Sequence, residues 1–291
     1  MTAIADSGAI RDRERMLPQH QAALILLQAR LSHPGVDRVR WLDLACGRGQ
    51  IIGALDKNLS PEARSRLEYW GYDINQQFAR ETRRIAERLG FASLEIKVGG
   101  LCDFNKLVPP DYAFDFITLM NTVHEIEPCH LAGVLADCVL RLSDTGTLFV
   151  YDMERIRPPE LGAVSWDRDE VRRIVRRVLD AFGAPAYRPE VGLWTHRTCK
   201  AWNLQLQRQY LGVTQDEAAA RRRAAVEESE KEVVELLKRK RILCRESLET
   251  LTLCGAETAE EQENMKRLLF EFWAVSRALE AVPREPETLE R

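Results

Sequence analysis

The stretch Trp41-Leu42-Asp43-Leu44-Ala45-Cys46-Gly47-Arg48-Gly49-Gln50 decides the fold. An apolar strand runs into a glycine-rich turn, and Ile51-Ile52-Gly53-Ala54-Leu55 opens the next element as an apolar run. Strand, tight turn and helix make the first unit of a nucleotide-binding α/β layer. The acid precedes the glycines, as Asp-x-x-x-Gly-x-Gly, whereas the dinucleotide pattern Gly-x-Gly-x-x-Gly places three glycines against a pyrophosphate. Gly47 and Gly49 let a ligand approach the backbone closely, and Asp43 offers a carboxylate to a cation or to backbone amides. That combination suits a ligand with a positive centre and no phosphates.

Outward from this turn, strands and helices alternate. Gln19 to Leu31 carries Ala23, Leu24, Leu27 and Leu31 at helical spacing and ends at His33-Pro34-Gly35. Strand one is read from Arg40 to Cys46, and one helix follows the glycines until Asn58-Leu59-Ser60-Pro61 breaks it. Leu67 to Ile74 reads as strand two, with Asp73 at its carboxyl end, and Gln76 to Leu89 as the next helix. Ser93 to Val98 alternates as strand three, and Phe114 to Met120 is nearly all apolar, as a strand covered on both faces is. A helix from Cys129 to Leu142 leads through the turn Ser143-Asp144-Thr145-Gly146 to strand five, Thr147 to Asp152. Asp167 and Glu170 have capping-box spacing and open a helix whose Arg172, Arg173, Arg176 and Arg177 form a face read as solvated surface. Ala186 to Leu193 and Thr198 to Leu206 read as a closing pair at the sheet edge.

Asp73 lies roughly 20 residues past the glycines, where one carboxylate can accept both hydroxyls of a ribose. The other reading of the same position is a helix N-cap. Together, Asp43-x-x-x-Gly47-x-Gly49 and Asp73 resemble motifs I and II of class I S-adenosyl-L-methionine (SAM)-dependent methyltransferases. The resemblance covers about Gln19 to Tyr210. It implies an α/β fold with a doubly wound, mostly parallel seven-stranded sheet, here carrying an appended C-terminal α-helical hairpin. It also implies SAM as the cofactor, with Asp43, Ala45, Gly47, Gly49, Asp73, Ile74, Leu101, Cys102 and Asn121 as binding residues. One departure stands out. After strand three the family often reads Gly-Asp-Leu-x-Asp-Phe, and that first acid holds the adenine amino group. In Gly99-Gly100-Leu101-Cys102-Asp103-Phe104, Gly100 takes its place, so adenine would rest on backbone and apolar contacts near Leu101 and Cys102.

Composition changes beyond Thr214, where glycine and proline nearly vanish and charge dominates. Two capping-box patterns, Thr214 to Glu217 and Thr258 to Glu261, with Gly255 between, predict two long antiparallel helices. The second carries Met265, Leu268, Phe272, Val275, Leu279 and Val282 in the three-four alternation of a coiled-coil seam. Leu269, Phe270 and Trp273 lie off that seam and need a cover, either the catalytic domain or a second subunit. The expected organisation is therefore an N-terminal helical segment (1–34), a SAM-binding domain (35–212) and a helical hairpin (213–291) that serves assembly, as in a homodimer, or acts as a lid.

The 291 residues carry a net charge of -3, which gives no global pull toward nucleic acid or anionic membrane. No run is apolar for the ~18 residues a membrane span needs. Met1 to Met16 is polar and charged, unlike a secretory leader, and seven scattered cysteines without Cys-x-x-Cys suit a reducing cytoplasm. For chemistry, the informative stretch is Asn121-Thr122-Val123-His124-Glu125-Ile126-Glu127-Pro128-Cys129-His130. It is similar to the segment after strand four in small-molecule O-methyltransferases, where a histidine followed by an acid is the base. The resemblance implies His124 as the general base and Glu125 as its acid, although Ile126 stands where the larger motif has tryptophan; a structural or substrate-lining histidine is the alternative. His124, Glu125, Cys129 and His130 have no standard zinc spacing, so no metal is expected. The expected reaction is methyl transfer from SAM to oxygen of a small-molecule acceptor. The rivals are an RNA or protein methyltransferase, and a non-catalytic methyltransferase-like assembly module.

Overall fold

A computed structural model describes residues 17–156, 158–196 and 199–282. The polar stretch Met1 to Met16 and Thr198 at the start of the last expected strand lie outside the described residues.

Seven strands make one sheet: β1 (Val39–Leu44), β2 (Leu67–Asp73), β3 (Ser93–Val98), β4 (Phe114–Met120), β5 (Leu142–Met153), β6 (Glu190–His196) and β7 (Cys199–Gln207). Their order is β3-β2-β1-β4-β5-β7-β6. β1 lies between β2 and β4 and is parallel to both, with Leu42 opposite Trp70 on one side and Ile117 on the other. β2–β3 and β4–β5 are parallel as well. The chain winds from β1 out to β3 and then returns to β4 on the other side of β1. That reversal is the topological switch point where open α/β sheets bind ligands. Every residue of β4 is buried, which accounts for its unbroken apolar run.

The helices are α1 (Pro18–Leu31), α2 (Gln50–Gly53), α3 (Leu55–Asn58), α4 (Pro61–Arg64), α5 (Gln76–Ala86), α6 (Phe104–Leu107), α7 (Pro128–Leu140), α8 (Arg168–Phe182), α9 (Gln215–Cys254) and α10 (Ala259–Glu280). Some of the expected elements need correcting. The single helix expected after the glycines is two separate turns, α2 and α3, divided at Ala54. Gly53 closes the first turn, and the Asn58 amide donates to the Ala54 carbonyl at 2.7 Å and ends the second. The turn expected at Ser143 to Gly146 lies inside β5, where the pairing with β4 is irregular between Phe114 and Phe116. A Cβ on Gly146 would sit 2.7 Å from the Phe114 carbonyl, so this glycine marks close strand approach at a bulge.

The chain resolves into two compact units that interleave in sequence. One holds the described residues up to Met120 with Asp137–Tyr151 and Leu204–Tyr210. Its centre is aromatic: Trp41 packs edge-on to Tyr69 at 5.0 Å and donates from its indole to Thr118 at 2.9 Å. The other unit holds Asn121–Ala136, Asp152–Asn203 and the chain from Leu211. In it, α9 and α10 form the expected hairpin, each opened by a capping box, from Thr214 and Thr258. α9 also packs along α8. Arg173 and Arg177 of α8 reach the buried Glu232 of α9 at 2.5 and 3.1 Å. Lys240 lies 3.0 Å from Glu170 of α8 and 3.6 Å from Glu271 of α10. The arginine face read as solvated is thus in part an interhelical ion-pair seam. Leu269 and Trp273 remain exposed, at 51% and 45%.

Candidate functional site

The turn leaving β1 is held in an unusual backbone conformation. Gly47 and Gly49 have φ of 56° and 79°, and Ala45, which has a Cβ, has φ of 53°. A non-glycine residue in the left-handed region marks strain that its surroundings must hold in place. Here the restraint comes from β2 and α5. Cys46 N donates to the Tyr72 carbonyl at 3.0 Å, and Gly47 N donates to Asp73 Oδ2 at 2.8 Å. The Thr82 hydroxyl donates to the Gly47 carbonyl at 2.8 Å. A Cβ on Gly49 would stand 3.2 Å from each of Ile52, Ile85 and Thr82, so both conformation and space require glycine there.

Asp73 closes β2 and is buried. Its Oδ1 accepts the Asn75 N–H at 2.7 Å. Burial raises its carboxyl above the usual carboxylate range, and the backbone N–H groups of Asn75 and Gly47 pull it back. The helix-cap role belongs to Asn75, whose side chain accepts from Gln77 N and Phe78 N. Asp43 points the other way, into the core. Its oxygens accept the Thr118 hydroxyl at 2.7 Å and the Tyr69 hydroxyl at 2.9 Å. Burial pushes Asp43 up to about 7; the two hydroxyls hold it down, and the charge of Asp73 adds to the rise.

These residues fit SAM. Each Asp73 oxygen accepts one backbone N–H and keeps a second lone pair, and a ribose diol brings two donors. Directly after it, Ile74 is 72% exposed, and Val98, in register with Asp73, is 47% exposed. Two large apolar side chains left to solvent beside Asp73 could receive a flat purine. Gly100 accepts the Tyr72 hydroxyl at 2.9 Å through its carbonyl, and a Cβ added there would meet nothing within 4 Å. Leu101 and Cys102 follow in a short 3-10 turn, and Asp103 is engaged by Lys106 at 2.6 Å.

Asn121 follows β4 directly and has φ of 53°. The 3-10 turn Val123–Glu125 then carries His124, which is 3% exposed. Asp152, near the end of β5, holds this histidine twice. Oδ2 accepts the His124 backbone N–H at 2.7 Å, and Oδ1 lies 2.7 Å from ring Nδ1. Ring Nε2 faces Glu160 at 3.5 Å and Glu125 at 3.8 Å. Burial works against charge on the ring, but the bonds to Asp152 and Glu160 and the charges of Asp152 and Glu125 outweigh it and lift His124 to about 10. Cys129 and His130 lie with Glu127 in a separate, exposed group, so the four-residue cluster weighed from sequence does not assemble.

Sequence reasoning missed Asp152 and Glu160. The first had a signal, an acid closing the apolar run Leu148-Phe149-Val150-Tyr151. The second lies in the connection between β5 and α8, where no periodicity marks one acid over another.

Residues 42–146 match a family model described as a methyltransferase domain. They contain the glycine turn, Asp73 and the whole His124 stretch. The chain carries a SAM-dependent methyltransferase domain. Its cofactor is SAM. Among solved structures, the methyltransferase is similar to magnesium protoporphyrin IX methyltransferase (ChlM) from Synechocystis PCC 6803 with bound SAH, at 13% identity and a TM-score of 0.48, over 70% of this chain and 90% of that one. It is similar to the CurJ carbon methyltransferase at 15% identity and a TM-score of 0.49, over 64% and 53% of the two chains. An rRNA methylase from Streptococcus thermophilus gives 14% and 0.43, over 66% and 96%. No curated protein matches the sequence. At these values the likenesses carry no argument about the acceptor. Among the described residues no helix is long and apolar enough to cross a membrane.

Proposed function

We propose that this methyltransferase moves the methyl group of SAM to an oxygen of a small molecule, with SAM held by the glycine turn, Asp73, Ile74, Leu101, Cys102 and Asn121. Asp43 supports this turn from the core side through Tyr69 and Thr118. Transfer from a sulfonium is an in-line displacement, and the protein's part is to align donor and acceptor and to exclude water. A hydroxyl acceptor must also lose its proton, and His124 is the base.

The observation that supports this reading is the Asp152–His124 pair. Asp152 takes Nδ1, fixes the ring and its tautomer, and leaves Nε2 as the atom that exchanges protons. With Glu160 and Glu125 against Nε2 the ring keeps its proton, so an incoming acceptor must displace them to meet the neutral ring. A nucleic-acid substrate is less well supported, since Arg173 and Arg177 are already paired with Glu232. His124→Ala is expected to leave SAM affinity intact by calorimetry and to lower turnover about a hundredfold or more. Unchanged turnover would return His124 to a structural role.

The domain division at residues 34 and 212 and a cytoplasmic setting, suited to seven free cysteines, belong to the same proposal. The exposed Leu269 and Trp273 of α10 mark where a second copy would dock. Light scattering on the intact protein tests this, and the mass of one chain at all concentrations would end the homodimer.

A further inference from the structure

We infer that His124, Glu125 and Glu160 form a binding site for a divalent transition-metal ion of the zinc or manganese type. One ligand atom from each of the three lies within 4.8 Å of the others. The ring Nε2 is 3.5 Å from Glu160 Oε2 and 3.8 Å from Glu125 Oε1. An ion that holds nitrogen and oxygen at about 2.0–2.2 Å in a tetrahedral arrangement sets its ligands about 3.4 Å apart. The cluster is therefore within a few tenths of an ångström of that spacing along both edges from the ring.

The surroundings of the ring point the same way. Metal-binding histidines donate their other ring N–H to a carboxylate or carbonyl, which fixes the tautomer and aims the ligand nitrogen. Asp152 does this at 2.7 Å and is itself fixed by the N–H groups of His124 and Met153, both at 2.7 Å. Charge agrees as well. Three carboxylates, Asp152, Glu125 and Glu160, surround one imidazole; a proton on the ring offsets one of these charges, and a divalent cation offsets two. One imidazole with two carboxylates suits zinc or manganese, and three protein ligands leave a position open. The group of Glu127, Cys129 and His130 is exposed at all three residues and does not share the buried, anchored histidine.

The ion and the proton compete for the same nitrogen. In the metal-loaded protein His124 is a ligand and not a base, and a hydroxyl at the open position is acidified by the ion. This consequence rests on the oxygen-acceptor reading; the binding site itself does not.

The test is calorimetric titration of the untagged, chelator-treated full chain with zinc chloride and, separately, manganese chloride. Cobalt(II) absorption serves as a second readout of the ligand set. One site per chain is expected. Glu160→Gln and Glu125→Gln should each weaken it tenfold or more, and Asp152→Asn by a similar factor through the ring. Glu125 is half exposed, so its variant keeps the test valid should a buried variant fail to fold. No saturable binding by the wild type would overturn the inference, as would binding that survives both glutamate variants and is lost in His130→Ala. Methyl transfer that fails in metal-free buffer, with metal binding intact, would count against the base reading alone.

Discussion

The glycine turn and the His124 cluster are built by opposite means. The turn is a backbone object: its positions are set by positive φ at Ala45, Gly47 and Gly49 and by N–H groups tied to Tyr72 and Asp73. The cluster is a side-chain object, in which Asp152, Glu160 and Glu125 converge on one buried ring. Backbone sites impose residue types at fixed short spacing, because only glycine fits where φ is positive and space is short. Side-chain sites impose no spacing, because any loop that reaches the ring can supply the carboxylate. A backbone site is therefore written in the local sequence, and a side-chain site emerges only in the fold.

Three substitutions sharpen or break this contrast. The largest effect is expected from Asp73→Ala, which removes the carboxylate that accepts the Gly47 and Asn75 N–H groups. Losing two hydrogen bonds to a carboxylate should cost about 3 kcal/mol of SAM binding, near a hundredfold in Kd by calorimetry. Affinity within threefold of the wild type would mean that the backbone alone holds the cofactor.

Thr118→Val comes next and probes the buried support under the turn. Asp43 stands at about 7 against an ordinary 3.8, so its neutral form is favoured in the folded state. Its stabilising contribution is full below pH 3.8 and is lost as pH rises through about 7. Removing the Thr118 hydroxyl takes a donor from the ionised carboxylate and should cost about 1–2 kcal/mol more at pH 8 than at pH 5 in urea unfolding. The Trp41 indole loses its acceptor at both pH values, so only the difference reports on Asp43. Equal losses at the two pH values would remove Asp43 from the account. Gly100→Asp should have the smallest effect. An added Cβ meets nothing within 4 Å, so the fold should tolerate it, and SAM should bind a few-fold more tightly if adenine lies there. Weaker binding would show that this chain places adenine differently from its family.

The same contrast explains what could be read from the chain. β1, the turn, Asp73 and β4 were legible because burial on both faces and positive φ restrict residue choice locally. The capping boxes at Asp167, Thr214 and Thr258 were legible for a similar reason, since each is complete within four residues. Gly146 was misread because glycine serves a turn and a bulge equally well, and only the nearby Phe114 carbonyl decides between them. The seam from α8 to α9 was hidden because arginines that pair with Glu232 look, in sequence, like arginines that face water. Glu160 could not be found at all, because its partner is distant in sequence and its own segment has no pattern.

The left-handed residues Ala45 and Asn121, each following a strand directly, have a kinetic consequence. The bend at Ala45 is held by the fold's own hydrogen bonds, from Cys46 N to the Tyr72 carbonyl and from Gly47 N to Asp73. Cofactor capture at the turn therefore needs no slow rearrangement of the chain. The observed rate of SAM association should rise linearly with SAM concentration and show no plateau, as for docking onto a preformed surface.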